Sequence, residues 1–126
     1  MAAGPIELVF QTWQKYRPNP AYCRLTAPRR RLIGARLRDY SADDLCWLIR
    51  YAHEADAAEA RFWRGENDRR QEYLDLTNLL RVTKVDGRME RALLWRDKKL
   101  AEAATEAAGV DLGPMGDLLR PEDSDD

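Results

Sequence analysis

Apolar residues recur at three- and four-residue spacing in four separate stretches of the chain, and that period commits most of it to helices buried along one face. The stretches are Ile6, Val9, Phe10, Trp13; Leu32, Ile33, Leu37, Tyr40; Leu45, Leu48, Ile49, Ala52; and Val85, Met89, Ala92, Leu93. A strand needs a neighbouring strand, and only Val82-Thr83-Lys84-Val85 has strand character, so this segment reads as an extended connector. The expected fold is all-α: a compact bundle of about five helices with an irregular, glycine-containing turn after the third. A chain of 126 residues suits one domain that buries roughly 65% of its unfolded surface.

Local signals place the helix ends. Pro5 suits the first turn of the first helix, and Arg17-Pro18-Asn19-Pro20 ends it. Thr26 is a cap for the second helix with Pro28 just inside, and Gly34 within it calls for a close helix contact. Ser41-Ala-Asp-Asp44 resembles a capping box at the start of the third helix, whose apolar circumference makes it the central one. Alanine-rich residues from Glu54 to Arg61 read as its polar extension. The chain then turns at Gly65 and Asn67-Asp68, and Tyr73, Leu74, Leu76, Leu79 and Leu80 return it to the core through a short helix capped by Asp75 or Thr77. Asp86 caps the last long helix, which Gly109 is placed to end. This makes a single helical domain over residues 1–108, followed by an arm, 109–126, with an acidic and disordered tail at Glu122, Asp123, Asp125 and Asp126.

The net charge of −1 gives no global attraction to nucleic acid, but it hides a basic block: Arg24, Arg29, Arg30, Arg31, Arg36 and Arg38 face only Asp39 between residues 24 and 39. The two cysteines, Cys23 and Cys46, make no disulfide framework. With a single histidine, His53, and no Cys-x-x-Cys, the chain offers no metal cage, and no cofactor is expected. Glu66, Asp68, Glu72 and Asp75 lack the alternating ligands of a calcium loop, and no nucleophile stands at a recognisable spacing from His53, so no catalytic residue is assigned and the chain reads as a non-enzyme. No apolar run is long enough to span a bilayer and no signal segment opens the chain, which points to the cytoplasm and away from membranes.

Several short runs then follow one another in a familiar order: Val9-Phe-Gln-Thr-Trp13, Leu25-Thr26 leading into Arg30-Arg-Leu-Ile-Gly-Ala-Arg-Leu37, Tyr40-Ser-Ala-Asp-Asp-Leu45, Trp63-Arg-Gly-Glu-Asn67, Tyr73-Leu-Asp-Leu-Thr-Asn-Leu-Leu80 and Val85-Asp-Gly-Arg-Met89. The series, from about Ile6 to Trp95, resembles the helical carboxy-terminal domain of phage and prophage replication proteins, which is distantly similar to DnaD-type primosome modules. The resemblance implies a module that helps organise the start of replication through DNA or replication proteins. Such domains usually follow a winged helix-turn-helix domain, and here the module stands first, which leaves nonspecific DNA binding, partner binding, or a winged domain on another chain.

Two function classes follow. In the first, a replication accessory, Arg29, Arg30, Arg31, Arg36 and Arg38, joined by Arg64, Arg69 and Arg70 of the turn, neutralise the phosphates of single- or double-stranded DNA, with Trp63 or Tyr73 available to stack on a base. In the second, an adaptor for a replicative helicase or another replication protein, or a phage-encoded inhibitor of a host protein, uses the apolar patch of Leu112, Met115, Leu118 and Leu119.

Overall fold

The computed structural model describes residues 4–107, and over these it is all-helical, without strands. The arm, including Leu112, Met115, Leu118 and Leu119, and the acidic tail lie outside the described residues. Helix α1 runs Pro5–Gln14, with its proline in the first turn, and buries Val9, Phe10 and Trp13. A single 3-10 turn at Pro20–Tyr22 leads to α2, Ala27–Arg36, where the Thr26 hydroxyl accepts from the Arg29 amide. Helix α3, Ala42–Glu54, starts on the Ser41 hydroxyl, which accepts from the Asp44 amide at 3.0 Å, and Asp43 and Asp44 stand in the first turn, where negative charge favours the helix dipole.

The third helix is the centre of the fold. Leu45, Leu48, Ile49 and Ala52 are fully enclosed, and the helix packs against α1 and against the two short helices α4, Ala58–Trp63, and α5, Leu76–Leu79. Tyr51 is also buried, set edge-on to both Trp63 and Trp95. Helix α2 lies on α1 and α5 and sinks only Ile33 fully, while Leu32, Leu37 and Tyr40 are half-buried. An added Cβ at Gly34 would meet Ile6 Cδ1 at 3.7 Å, an ordinary van der Waals separation, so no close helix crossing requires this glycine.

The expected continuation of α3 through Glu54–Arg61 does not occur. Ala55 is extended at ψ 142°, and the chain restarts as α4 at Ala58. The cause is tertiary: Arg64, just after α4, turns its guanidinium back onto the end of α3 and donates to the carbonyls of Ala52 at 3.1 Å and Ala55 at 2.8 Å. Terminal carbonyls that an uninterrupted helix would use internally are satisfied here by a side chain from another element.

The glycine-bearing turn is built as its sequence suggests. Gly65 has φ +107°, a conformation that side-chain-bearing residues resist. The Asn67 side chain ties the loop together, donating to the carbonyls of Phe62 and Gln71 and accepting from the amides of Arg69 and Gln71. Asp75 caps α5 by accepting from the Asn78 amide. The Trp13 indole then donates to the Leu74 carbonyl at 2.7 Å inside the core, fastening the far side of the loop to α1.

The segment before the last helix is not extended, contrary to its β-branched composition. Residues 81–84 form a turn, with the Lys84 and Val85 amides bonded to the Arg81 carbonyl, and this leads directly into α6, Val85–Ala107. Asp86 therefore lies inside the first turn of α6, where it accepts from the Tyr40 hydroxyl, rather than at the cap. Val85, Met89 and Ala92 are buried. The chain divides into two compact units, the first ending at Arg96 and the second beginning at Asp97, within α6. In the second unit every described residue, 97–107, is exposed.

Candidate nucleic-acid interface

The basic residues of α2 divide into engaged and free groups. Arg30 pairs with Glu7 at 3.0 Å, and that hydrogen bond holds the Glu7 carboxyl below its ordinary range. Arg29 donates to the Arg24 carbonyl at 2.7 Å and lays its guanidinium over the Trp13 ring, 4.9 Å from the centroid. Arg36 is half-buried, and its Nε has no hydrogen-bond partner among the described residues. Arg24, Arg31 and Arg38, by contrast, are exposed and make no ion pair among the described residues. They stand just before, within and just after α2, each seven residues from the next.

The arginines of the turn also separate. Arg64 is committed to the α3 carbonyls and is therefore a structural residue. Arg69 and Arg70 are exposed, and Arg70 takes the left-handed conformation at φ 52°, bonded through its amide to the Asn67 carbonyl. Trp63 is 5% exposed, covered on one face by the Arg88 guanidinium and flanked by Tyr51 at a steep angle, so it presents no platform to a base. Tyr73 stacks on Phe62 with ring centroids 5.7 Å apart and planes 11° from parallel. Together they wall a cleft of about 460 Å³ whose other lining residues are Glu66, Asn67, Asp68 and Arg69. Two carboxylates against one arginine make this cleft a poor seat for phosphate.

A second hollow, of about 430 Å³, opens beside the start of α2 and is lined by Trp13, Arg17, Pro18, Asn19, Tyr22, Cys23 and Arg29. The Arg17 guanidinium also lies over the Trp13 ring, 4.5 Å from the centroid, so one buried indole carries two cations. Arg17 contacts His53 Nε2 at 2.5 Å, while His53 Nδ1 lies 2.8 Å from the Ile49 carbonyl. These contacts define the tautomer: Nδ1–H donates to the carbonyl and Nε2 accepts from Arg17. Burial, assisted by the charges of Arg17 and Arg64, pushes the His53 pKa down to about 4, so the ring is neutral at physiological pH. Burial likewise lowers the pKa of Arg17.

Sequence reasoning did not single out Arg17 or Tyr22, because the Arg-Pro-Asn-Pro run reads as a helix terminator. The hint was present in Tyr22, an aromatic next to prolines where no apolar stripe claims it. Among the described residues no cluster of His, Cys, Asp or Glu has the arrangement of a metal site, and no helix is long and apolar enough to cross a membrane. Comparison with protein-family models, with curated proteins and with solved structures finds no match to this chain.

Proposed function

We propose that the protein is a non-catalytic accessory module of phage-type DNA replication that contacts nucleic acid through the α2 face. The observation that carries this reading is the row of exposed, unpaired Arg24, Arg31 and Arg38. The near-neutral net charge is no obstacle to it. Residues 4–107 contain twenty lysines and arginines against sixteen aspartates and glutamates, whereas residues 108–126 contain one against six. The setting in replication rests on the family resemblance alone.

Fluorescence anisotropy of labelled single-stranded and duplex oligonucleotides tests the reading. If the three arginines each neutralise one phosphate of a single strand, they contribute a slope near −2 in a plot of log affinity against log salt, or about 20-fold for a fourfold rise in salt. The R24A/R31A/R38A variant should lose that increment. Absent or salt-insensitive binding by folded protein would refute it.

A further inference from the structure

The hollow beside Trp13 combines four features that no packing requirement explains. Arg17 and Arg29 are both drawn over the same indole, which places two like charges together, and burial, with the Arg29 charge adding to it, lowers the pKa of Arg17. No carboxylate among the described residues comes within ion-pair distance of either; Glu72 and Asp75 are felt by Arg17 only as more distant charges. The Arg17 Nε is buried without a hydrogen-bond partner among the described residues, a desolvated donor that has gained no acceptor in return. Finally, Tyr22 stands on the wall of the hollow with 83% of its surface exposed, the most open large hydrophobic residue among those described.

The wall is also rigid. Gln14 reaches across the 3-10 turn and donates to the carbonyls of Pro20 at 3.0 Å and Cys23 at 2.9 Å, so Tyr22 sits on a turn held at both ends. Trp13 is anchored in the core through Leu74, and His53 holds Arg17 from behind. Two fixed guanidiniums without an ion-pair partner among the described residues are suited to a phosphate, and an exposed phenol ring beside them is suited to the face of a base. The hollow adjoins the N-terminal end of α2, through Cys23 and Arg29 of its lining.

We propose that this hollow is a nucleotide seat, in which Arg17 and Arg29 hold a backbone phosphate of single-stranded nucleic acid and Tyr22 stacks on the attached base. The proposal rests on the nucleic-acid reading above and gives it a defined site. It distinguishes this hollow from the Phe62–Tyr73 cleft, where acidic residues outnumber basic ones.

The test uses the full chain labelled with nitrogen-15, in which the Trp13 indole N–H and the Arg17 Nε–H report on the seat and the Trp47 and Trp95 indoles serve as internal controls. A short oligothymidylate should shift the Trp13 and Arg17 signals and leave Trp47 and Trp95 in place. Tyr22→Ala, at a site too exposed to unsettle the fold, should weaken oligothymidylate binding by about fivefold or more, as loss of one stacked base requires. Inorganic phosphate, run in parallel, should bind the variant and the parent alike. Salt-sensitive binding through the α2 arginines with unmoved Trp13 and Arg17 signals and no effect of Tyr22→Ala would overturn the seat while sparing the broader reading. Phosphate binding that an attached base does not improve would overturn the nucleotide assignment, and no binding of oligothymidylate by folded protein would overturn both.

Discussion

Replacing Arg64 by alanine tests the main tertiary device of this fold. The substitution removes two charge-assisted hydrogen bonds, to Ala52 at 3.1 Å and Ala55 at 2.8 Å, from the end of a helix whose last alanines are 0% and 1% exposed. A hydrogen bond from a charged donor contributes about 1.5–3 kcal/mol, and water re-entering at the half-buried Arg64 position recovers part of this, which leaves an expected loss of about 2–4 kcal/mol. In urea, with an m-value of about 1–2 kcal/mol/M, the unfolding midpoint followed by circular dichroism should fall by about 2 M. Arg64→Lys should recover at most about half, because a single ammonium lacks the planar fork that reaches both carbonyls. Arg69→Ala is the matched control: its side chain is exposed, and its stability should stay within about 0.5 kcal/mol of the parent. If Arg64→Ala behaves like Arg69→Ala, the break at Ala55 is not held by Arg64, and the packing of Ala60 and Trp63 must set it instead.

Three further outcomes are expected. Gly65→Ala should cost about 1–2 kcal/mol through its φ of +107°, although the added methyl would have room 3.8 Å from Glu72; an unchanged unfolding midpoint would contradict the backbone assignment. Gly34→Ala should stabilise the protein by about 0.8–1 kcal/mol, the helix-propensity difference, since its methyl meets Ile6 at ordinary contact distance; a loss measured by urea titration would show that α1 and α2 pack too tightly for a methyl 3.7 Å from Ile6. His53 has its pKa lowered from 6.5 to about 4, so the unfolded chain takes up a proton more readily than the folded one. Its contribution is therefore complete above about pH 6.5 and is lost as the pH falls from there toward 4, amounting to about 1–2 kcal/mol after allowance for partial exposure. Urea midpoints at pH 7 and pH 5 should differ accordingly, and His53→Gln should flatten that difference; equal slopes in both proteins would refute the assignment.

Much of the framework was legible because its causes are local. Thr26, Ser41 and Asp75 cap the helices that follow them by satisfying amides within three residues, and Pro5 and Pro28 sit where a missing amide is harmless. The candidate site was only half legible. The abundance of arginine in and around α2 is a property of the sequence, but which arginines are free is not. Arg30 is taken by Glu7, twenty-three residues away, and Arg29 by Trp13, whereas Arg24, Arg31 and Arg38 are left exposed. Nothing in the spacing of Arg17, Tyr22 and Arg29 announces that one indole gathers two of them beside the third.

The sequence by itself determined the helical class, the caps of α2 and α3, the enclosed stripe of α3 and the left-handed turn at Gly65, since period, capping chemistry and glycine's missing Cβ act within a few residues, and it narrowed the cap of α5 to Asp75 or Thr77. Tertiary structure alone decided where α3 stops and how α6 begins. Alanine-rich residues 54–61 favour a continuous helix and the β-branched Val82, Thr83 and Val85 favour extension, and neither preference exceeds about 1 kcal/mol per residue. Arg64 on the α3 carbonyls and the burial of Val85 against the core outweigh them, because partners distant in the chain supply interactions that local propensity cannot represent.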